Sequence, residues 1–125
     1  MSKNFLSEHF TVEEFDCHCG CGSVRKDPSL ISPLLLQDLE SLRLALGRPI
    51  LINSGYRCKE MNKQIPRASV DSLHCVGKAA DIRVNGVRPI EVFYYAVRVG
   101  FRGLGLYKNF VHVDVRDKLA LWVSL

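Results

Sequence analysis

The segment Phe110-Val111-His112-Val113-Asp114-Val115-Arg116 alternates apolar and polar side chains along its length. Successive side chains of a β-strand point to opposite faces, so Val111, Val113 and Val115 enter a core while Phe110, His112, Asp114 and Arg116 face the other way. A strand with one apolar face and one His/Asp/Arg face presents polar groups to a cleft. The same logic applies to the strand expected over Ala79–Val84. Asp81 and Arg83 share one face there, and Ile82 and Val84 share the other. His74 precedes that strand by a loop containing Gly77, which lets its imidazole fold back toward Asp81.

His74, Asp81 and His112 are therefore candidates for one site. Two histidines and one carboxylate, with a fourth position left for water, form the usual ligand set of a catalytic zinc. A structural zinc more often uses four protein ligands rich in cysteine. Two imidazoles and a carboxylate also accept other divalent ions, so the ligand types alone do not select zinc.

The surrounding sequence supplies a frame for these strands. Thr11 is an N-cap for a short helix over Val12–Phe15, with Glu14 completing a capping box. Asp27-Pro28 begins a turn. Ser32-Pro33 reads as N-cap and first position of a helix whose Leu35, Leu39, Leu42 and Leu46 recur at helical spacing, with Gly47 and Pro49 ending it. Ile50–Asn53 reads as a short buried strand, and a short helix is expected from Lys59 to about Ile65. Pro66 to Lys78 reads as loop. Arg88-Pro89 opens a second long helix, Ile90–Val99, capped by Gly100. Gly103–Tyr107, Phe110–Arg116 and Leu121–Val123 read as antiparallel strands, the first two joined by a Lys108-Asn109 turn. Helices first and a sheet later indicate an α+β domain, a small antiparallel sheet carrying the metal site and packed against two main helices.

The bulk numbers fit one domain over 1–125, with an N-terminal helix and cysteine cluster in 1–30 and the core in 31–125. Its 125 residues suffice to bury a core without disulfides. Apolar content of 47%, charged content of 24% and a net charge of +4 are ordinary for a globular chain. The charges are scattered, which gives no footprint for nucleic acid, and no apolar run reaches membrane-spanning length. No secretory h-region is visible. The expectation is a monomer made in the cytoplasm without a signal peptide, acting after release or as part of a virion.

Five cysteines leave at least one without an intramolecular disulfide partner. Cys17, Cys19 and Cys21 cluster around His18 and Gly20, while Cys58 and Cys75 stand alone. Three readings stay open for the cluster. A second, structural zinc could be held by Cys17, Cys19 and Cys21 with Cys58 from outside, a disulfide could form in an oxidising space, or the thiols could be free. Cys75 reads as a packing residue.

Ser54-Gly55-Tyr56-Arg57, Asn62, Ser72-x-His74-x-x-Gly77-x-Ala79-x-Asp81 and Gly103-x-Gly105-x-Tyr107 followed by Val111-His112-x-Asp114 together resemble the zinc D-alanyl-D-alanine carboxypeptidase family, which shares its zinc architecture with the hedgehog signalling domain. The opening Leu6-Ser7-x-x-Phe10-x-x-x-Glu14-Phe15-x-Cys17 resembles its short phage-encoded or prophage-encoded members. The resemblance implies that His74, Asp81 and His112 bind one zinc ion. It implies that Arg57 binds substrate and stabilises an oxyanion, a task suited to its fixed, always-charged donors. Ser72 is expected to support His74, and Ser54 and Tyr56 to lie near the metal or substrate. The implied activity is hydrolysis of D-amino-acid-containing peptide bonds in peptidoglycan stem peptides, as a D,D-carboxypeptidase or cross-bridge endopeptidase. Well-known members carry a carboxylate three residues before the last histidine, and some a histidine two before it. Asn109 and Phe110 occupy those positions, and neither accepts a proton. Asp114 is the nearest candidate, either as general base or as the group that orients His112. The alternatives are a non-catalytic zinc- and wall-binding module and a phage structural or interaction protein retaining the fold.

Overall fold

The structure, a computed structural model, describes residues 4–66, 68, 69 and 71–125. Five helices and five strands follow in the order α1 (Val12–Phe15), α2 (Ser23–Lys26), α3 (Pro33–Leu46), β1 (Leu51–Ser54), α4 (Lys59–Lys63), β2 (Ala79–Arg83), α5 (Pro89–Val99), β3 (Gly103–Tyr107), β4 (Val111–Asp114) and β5 (Ala120–Ser124). This is an α+β fold. No helix among the described residues is long and apolar enough to cross a membrane.

Local chemistry sets the helix ends. The Thr11 hydroxyl accepts from Glu14 N while the Glu14 carboxylate accepts from Thr11 N, closing the capping box of α1. Ser32 caps α3 through Leu35 N, Pro33 takes the first turn where no N–H is needed, and Gly47 in the left-handed region ends the helix. α5 likewise runs from Pro89 to a left-handed Gly100. Helix α2 carries no side-chain cap, and Gly22 precedes it in the left-handed region. Nothing in the sequence announces it.

The sheet order is β1-β2-β4-β3-β5. The pairs β1–β2, β2–β4 and β3–β4 are antiparallel, but β5 runs parallel to β3, so the sheet is mixed where an antiparallel one was expected. The reason is topological. Both edges of β4 are already paired, so the chain leaving Asp114 steps past β3. At that end of the sheet Gly103 pairs with Asp114 on one side and Ala120 on the other. Having reversed direction once after β4, β5 points the same way as β3. Strand β1 starts at Leu51 and is a half-buried edge, less enclosed than its apolar sequence suggests.

One sheet face carries the core. Ile82, Leu104, Val111 and Val113 are fully buried beside Leu35, Leu39 and Leu42 of α3 and Val92 and Ala96 of α5. Burial of each of the Val, Leu and Ile side chains contributes about 1.5–3 kcal/mol. Phe10, Phe15 and Val24 extend the core into the N-terminal segment. That segment lies against the strand end that leads to the site. Tyr56 N donates to Phe15 O at 2.8 Å, and a Cβ on Gly55 would collide with Phe15.

Candidate metal centre

The opposite face of β2 and β4 presents Asp81 and His112, which pair directly across the strands. The third donor comes from the segment expected as loop over 66–78, of which 67 and 70 lie outside the described residues, and the described part is not wholly irregular. It ends in a 3-10 turn, Leu73–Val76, capped by the Ser72 hydroxyl on His74 N at 3.3 Å and closed by a left-handed Gly77. His74 is thereby buried and aimed at the sheet.

Hydrogen bonds define which ring nitrogens face the centre. His74 Nδ1 lies 2.9 Å from Gly55 O. A carbonyl only accepts, so Nδ1 carries the proton and Nε2 offers its lone pair. His112 Nε2 lies 2.7 Å from Asp114 Oδ2, which accepts its proton, and Nδ1 is the ring nitrogen that faces the centre. His74 Nε2 and His112 Nδ1 approach Asp81 Oδ1 to 3.3 and 3.0 Å. Donors spaced around a tetrahedral zinc at about 2.0–2.1 Å lie roughly 3.3 Å apart. Lone pairs facing one another at this range repel unless a cation or a proton lies between them. The residues therefore fit a zinc ion by donor type, spacing and tautomer.

Electrostatics tell the same story. Burial pushes the Asp81 carboxyl up, but His112 and His74 outweigh it and hold the group well below the usual carboxylate range. Burial lowers the His112 imidazole, yet the flanking Asp114 and Asp81 carboxylates carry it above its ordinary value.

Asp114 is fully buried. Arg116 grips it in a bidentate pair, Nε to Oδ1 at 2.9 Å and Nη2 to Oδ2 at 2.6 Å, and Arg116 N adds a third contact at 3.2 Å. Desolvation opposes its charge, but Arg116 and His112 keep it ionised well below the usual range. Two observations weigh against the expectation that Asp114 takes a proton from water. It does not line the cleft, and both oxygens are committed. Its geometry matches the other alternative, orientation of His112.

Arg57 is buried with its guanidinium beside the centre. Its N donates to His74 O at 3.1 Å, Nη1 donates to Asn62 Oδ1 at 3.0 Å, and Nη2 stands 3.9 Å from Asp81 Oδ2. Asn62 is held in turn by the carbonyl of Ser69 at 2.8 Å. Arg57 Nε is buried with no partner among the described residues. A β-bulge between Ile52 and Ser54, opposite Asp81, redirects the chain toward this arginine. Ser54 pairs with Asp81 through the backbone, and Tyr56 packs on the core. Neither is among the residues that line the cleft. Ser72 does line it.

The cleft has a volume of about 850 Å³. Beyond the centre its walls include Tyr107, Phe110, Arg116 and Trp122. Tyr107 and Phe110 stack at 4.4 Å, and Arg116 lies 5.1 Å from the Trp122 ring, whose Nε1 donates to Tyr107 Oη at 3.0 Å. Trp122 was not among the expected site residues. Its signal is the alternation of half-buried Ala120 and Trp122 with exposed Leu121 and Val123, which leaves aliphatic side chains outward. Gly103 and Gly105 explain themselves here, because a Cβ on either would overlap the Asp114 carboxylate or the Trp122 indole. Asn109 is absent from the lining, and Asp71 is the lining carboxylate that remains besides Asp81 among the described residues.

Cys17, Cys19, Cys21 and Cys58 form a second group of converging donors, and Cys75 stands outside it. A family model described as Peptidase M15 matches residues 8–114, a span that contains His74, Asp81, His112, Arg57 and all five cysteines but not Arg116 or Trp122. No curated protein matches the chain.

Proposed function

Because the chain belongs to the peptidase M15 family, a family of zinc-dependent metallopeptidases, we propose that it hydrolyses D-amino-acid-containing peptide bonds of bacterial peptidoglycan, with His74 Nε2, His112 Nδ1 and Asp81 as zinc ligands. The observation that carries this reading is the approach of both imidazoles to Asp81 Oδ1 at 3.3 and 3.0 Å inside an open cleft. When bound, zinc polarises the scissile carbonyl and acidifies water at the open position toward a pKa of about 7.

The chain's own groups do the rest. Arg57, fixed by Asn62, offers guanidinium donors to a stem-peptide carboxylate or a developing oxyanion. Asp114 holds the Nε2 proton of His112 and so keeps Nδ1 turned to the metal. With Asp114 enclosed and Asn109 and Phe110 unable to take a proton, Asp71 is the remaining lining carboxylate and the proposed acceptor. The stacked Tyr107 and Phe110 and the Trp122 indole supply flat apolar walls for a peptide. The likeness of residues 6–17 to phage-encoded members supports a lysin or tail-associated role.

Digestion of purified peptidoglycan followed by fragment analysis tests the reading and identifies the bond. Release of D-alanine marks a carboxypeptidase, and loss of cross-linked fragments marks an endopeptidase. Asn109 and Phe110 favour a second reading, a wall-binding module that keeps the metal without cutting. Zinc-loaded protein that sediments with walls yet leaves every bond intact would establish it.

A further inference from the structure

We propose that Cys17, Cys19, Cys21 and Cys58 bind a zinc ion of their own, a structural site independent of the cleft. Their sulfurs lie within 4.8 Å of one another. The Cys17–Cys58 and Cys19–Cys58 sulfur separations are both 3.6 Å. Thiolates around tetrahedral zinc at about 2.3 Å stand roughly 3.8 Å apart, whereas a disulfide needs about 2.05 Å. Cys58 meets two partners equally, which suits a shared ion and not a single sulfur–sulfur bond.

The backbone is built around these sulfurs. Gly20 and Gly22 adopt left-handed φ of 85° and 70°, so the chain turns sharply on either side of Cys21. Gly20 N closes that turn on Cys17 O at 3.2 Å. Asp16 Oδ1 holds both mouths of the loop, accepting from Cys17 N at 3.1 Å and Val24 N at 2.9 Å. Cys58 N points at Cys17 Sγ and Met61 N at Cys58 Sγ, both at 3.4 Å. Amide N–H groups pointed at sulfur are the outer partners that a metal-bound thiolate takes. Binding converts four thiols to four thiolates around one Zn²⁺ and releases their protons to solvent.

Four sulfur ligands leave no open position, so this ion would be structural. Its reach is long, because Cys58 stands 41 positions after Cys17. Cys58 follows Arg57 directly and caps α4, which contains Asn62, the anchor of the arginine. The ion would thus join the N-terminal segment to the wall of the cleft.

Zinc content of protein purified under reducing conditions without chelator provides the test. Wild type is expected to carry two zinc ions per chain, and Cys19→Ser and Cys21→Ser one each. Cys19 is exposed, so its serine variant leaves the core untouched. His74→Ala is expected to keep the cysteine-bound ion, and after cobalt exchange to show sulfur-to-cobalt charge-transfer absorption that Cys19→Ser lacks. Failure of the cleft reading would remove only the zinc sensitive to His74. Three results would overturn the proposal: unchanged zinc in both serine variants, a disulfide among these cysteines in native protein, or native thiols that all react without releasing zinc.

Discussion

The cleft and the cysteine cluster each gather donors distant in sequence onto one point, yet their chemistry differs throughout. The cleft combines a nitrogen and an oxygen on a sheet face with a nitrogen from a neighbouring turn, with an arginine alongside and a volume of about 850 Å³ in front. The cluster sets four sulfurs on loops and a helix start, turned toward one another. Mixed ligands with an open position suit chemistry on a substrate, while a closed set of thiolates suits a fastening. The difference matches the proposed peptidase role of the cleft, from Arg57 and Asp71 to Arg116 and Trp122, and the supporting role proposed for residues 16–22 and 58.

Substitutions that separate the two centres should rank accordingly. His112→Ala should have the largest effect, lowering hydrolysis by on the order of 10³-fold or more through loss of the cleft metal while the cysteine zinc stays. Steady-state rates combined with metal analysis check both halves. Arg57→Lys keeps the charge and loses the fixed fork, and kcat/KM should fall about 10²–10³-fold with zinc content unchanged. Asp114→Asn retains the shape around Gly103 but weakens the hold on His112. Zinc affinity and activity should drop together about 10–100-fold. Asp71→Asn should instead lower kcat about 10²-fold at full zinc occupancy. If Asp114→Asn abolishes turnover without touching zinc affinity, the roles given to these two aspartates are reversed.

The smallest effect concerns the strap that holds the N-terminal segment to α3. Glu40 accepts from Ser7 Oγ at 2.6 Å and His9 N at 2.7 Å, and these partners outweigh burial to lower its pKa. A lowered folded-state pKa gives stability that is present above the unfolded value, about 4.3, and lost as pH falls through the folded one. Glu40→Gln should therefore cost under about 1 kcal/mol at pH 7, a deficit that closes toward pH 3. Thermal unfolding of both proteins at the two pH values measures it.

Much of this comparison was legible in the residues themselves. Thr11, Ser32-Pro33, Gly47 and Gly100 mark helix ends through local hydrogen bonding and backbone conformation, which short sequence windows contain. Alternation around His112 and Asp81 disclosed the polar sheet face for the same reason. What escaped depends on distant contacts. The enclosure of Asp114 follows from Arg116 folding back and from Gly103 on the neighbouring strand. The parallel run of β5 follows from both edges of β4 being taken, and Trp122 reaches the cleft only through that placement. The sequence offers Cys58 as an outside partner of the cysteine cluster; what brings it to Cys17 and Cys19 is the N-terminal segment docked against Gly55 and Tyr56.

Peptidoglycan hydrolysis followed while zinc is returned to protein stripped of its cleft metal tests the central claim most directly. Activity should rise with added zinc, saturate at one equivalent in wild type, and remain at background in His112→Ala. Hydrolysis that proceeds at the full rate with the cleft free of metal, or undiminished in His112→Ala, would contradict a metallopeptidase centred on His74, Asp81 and His112.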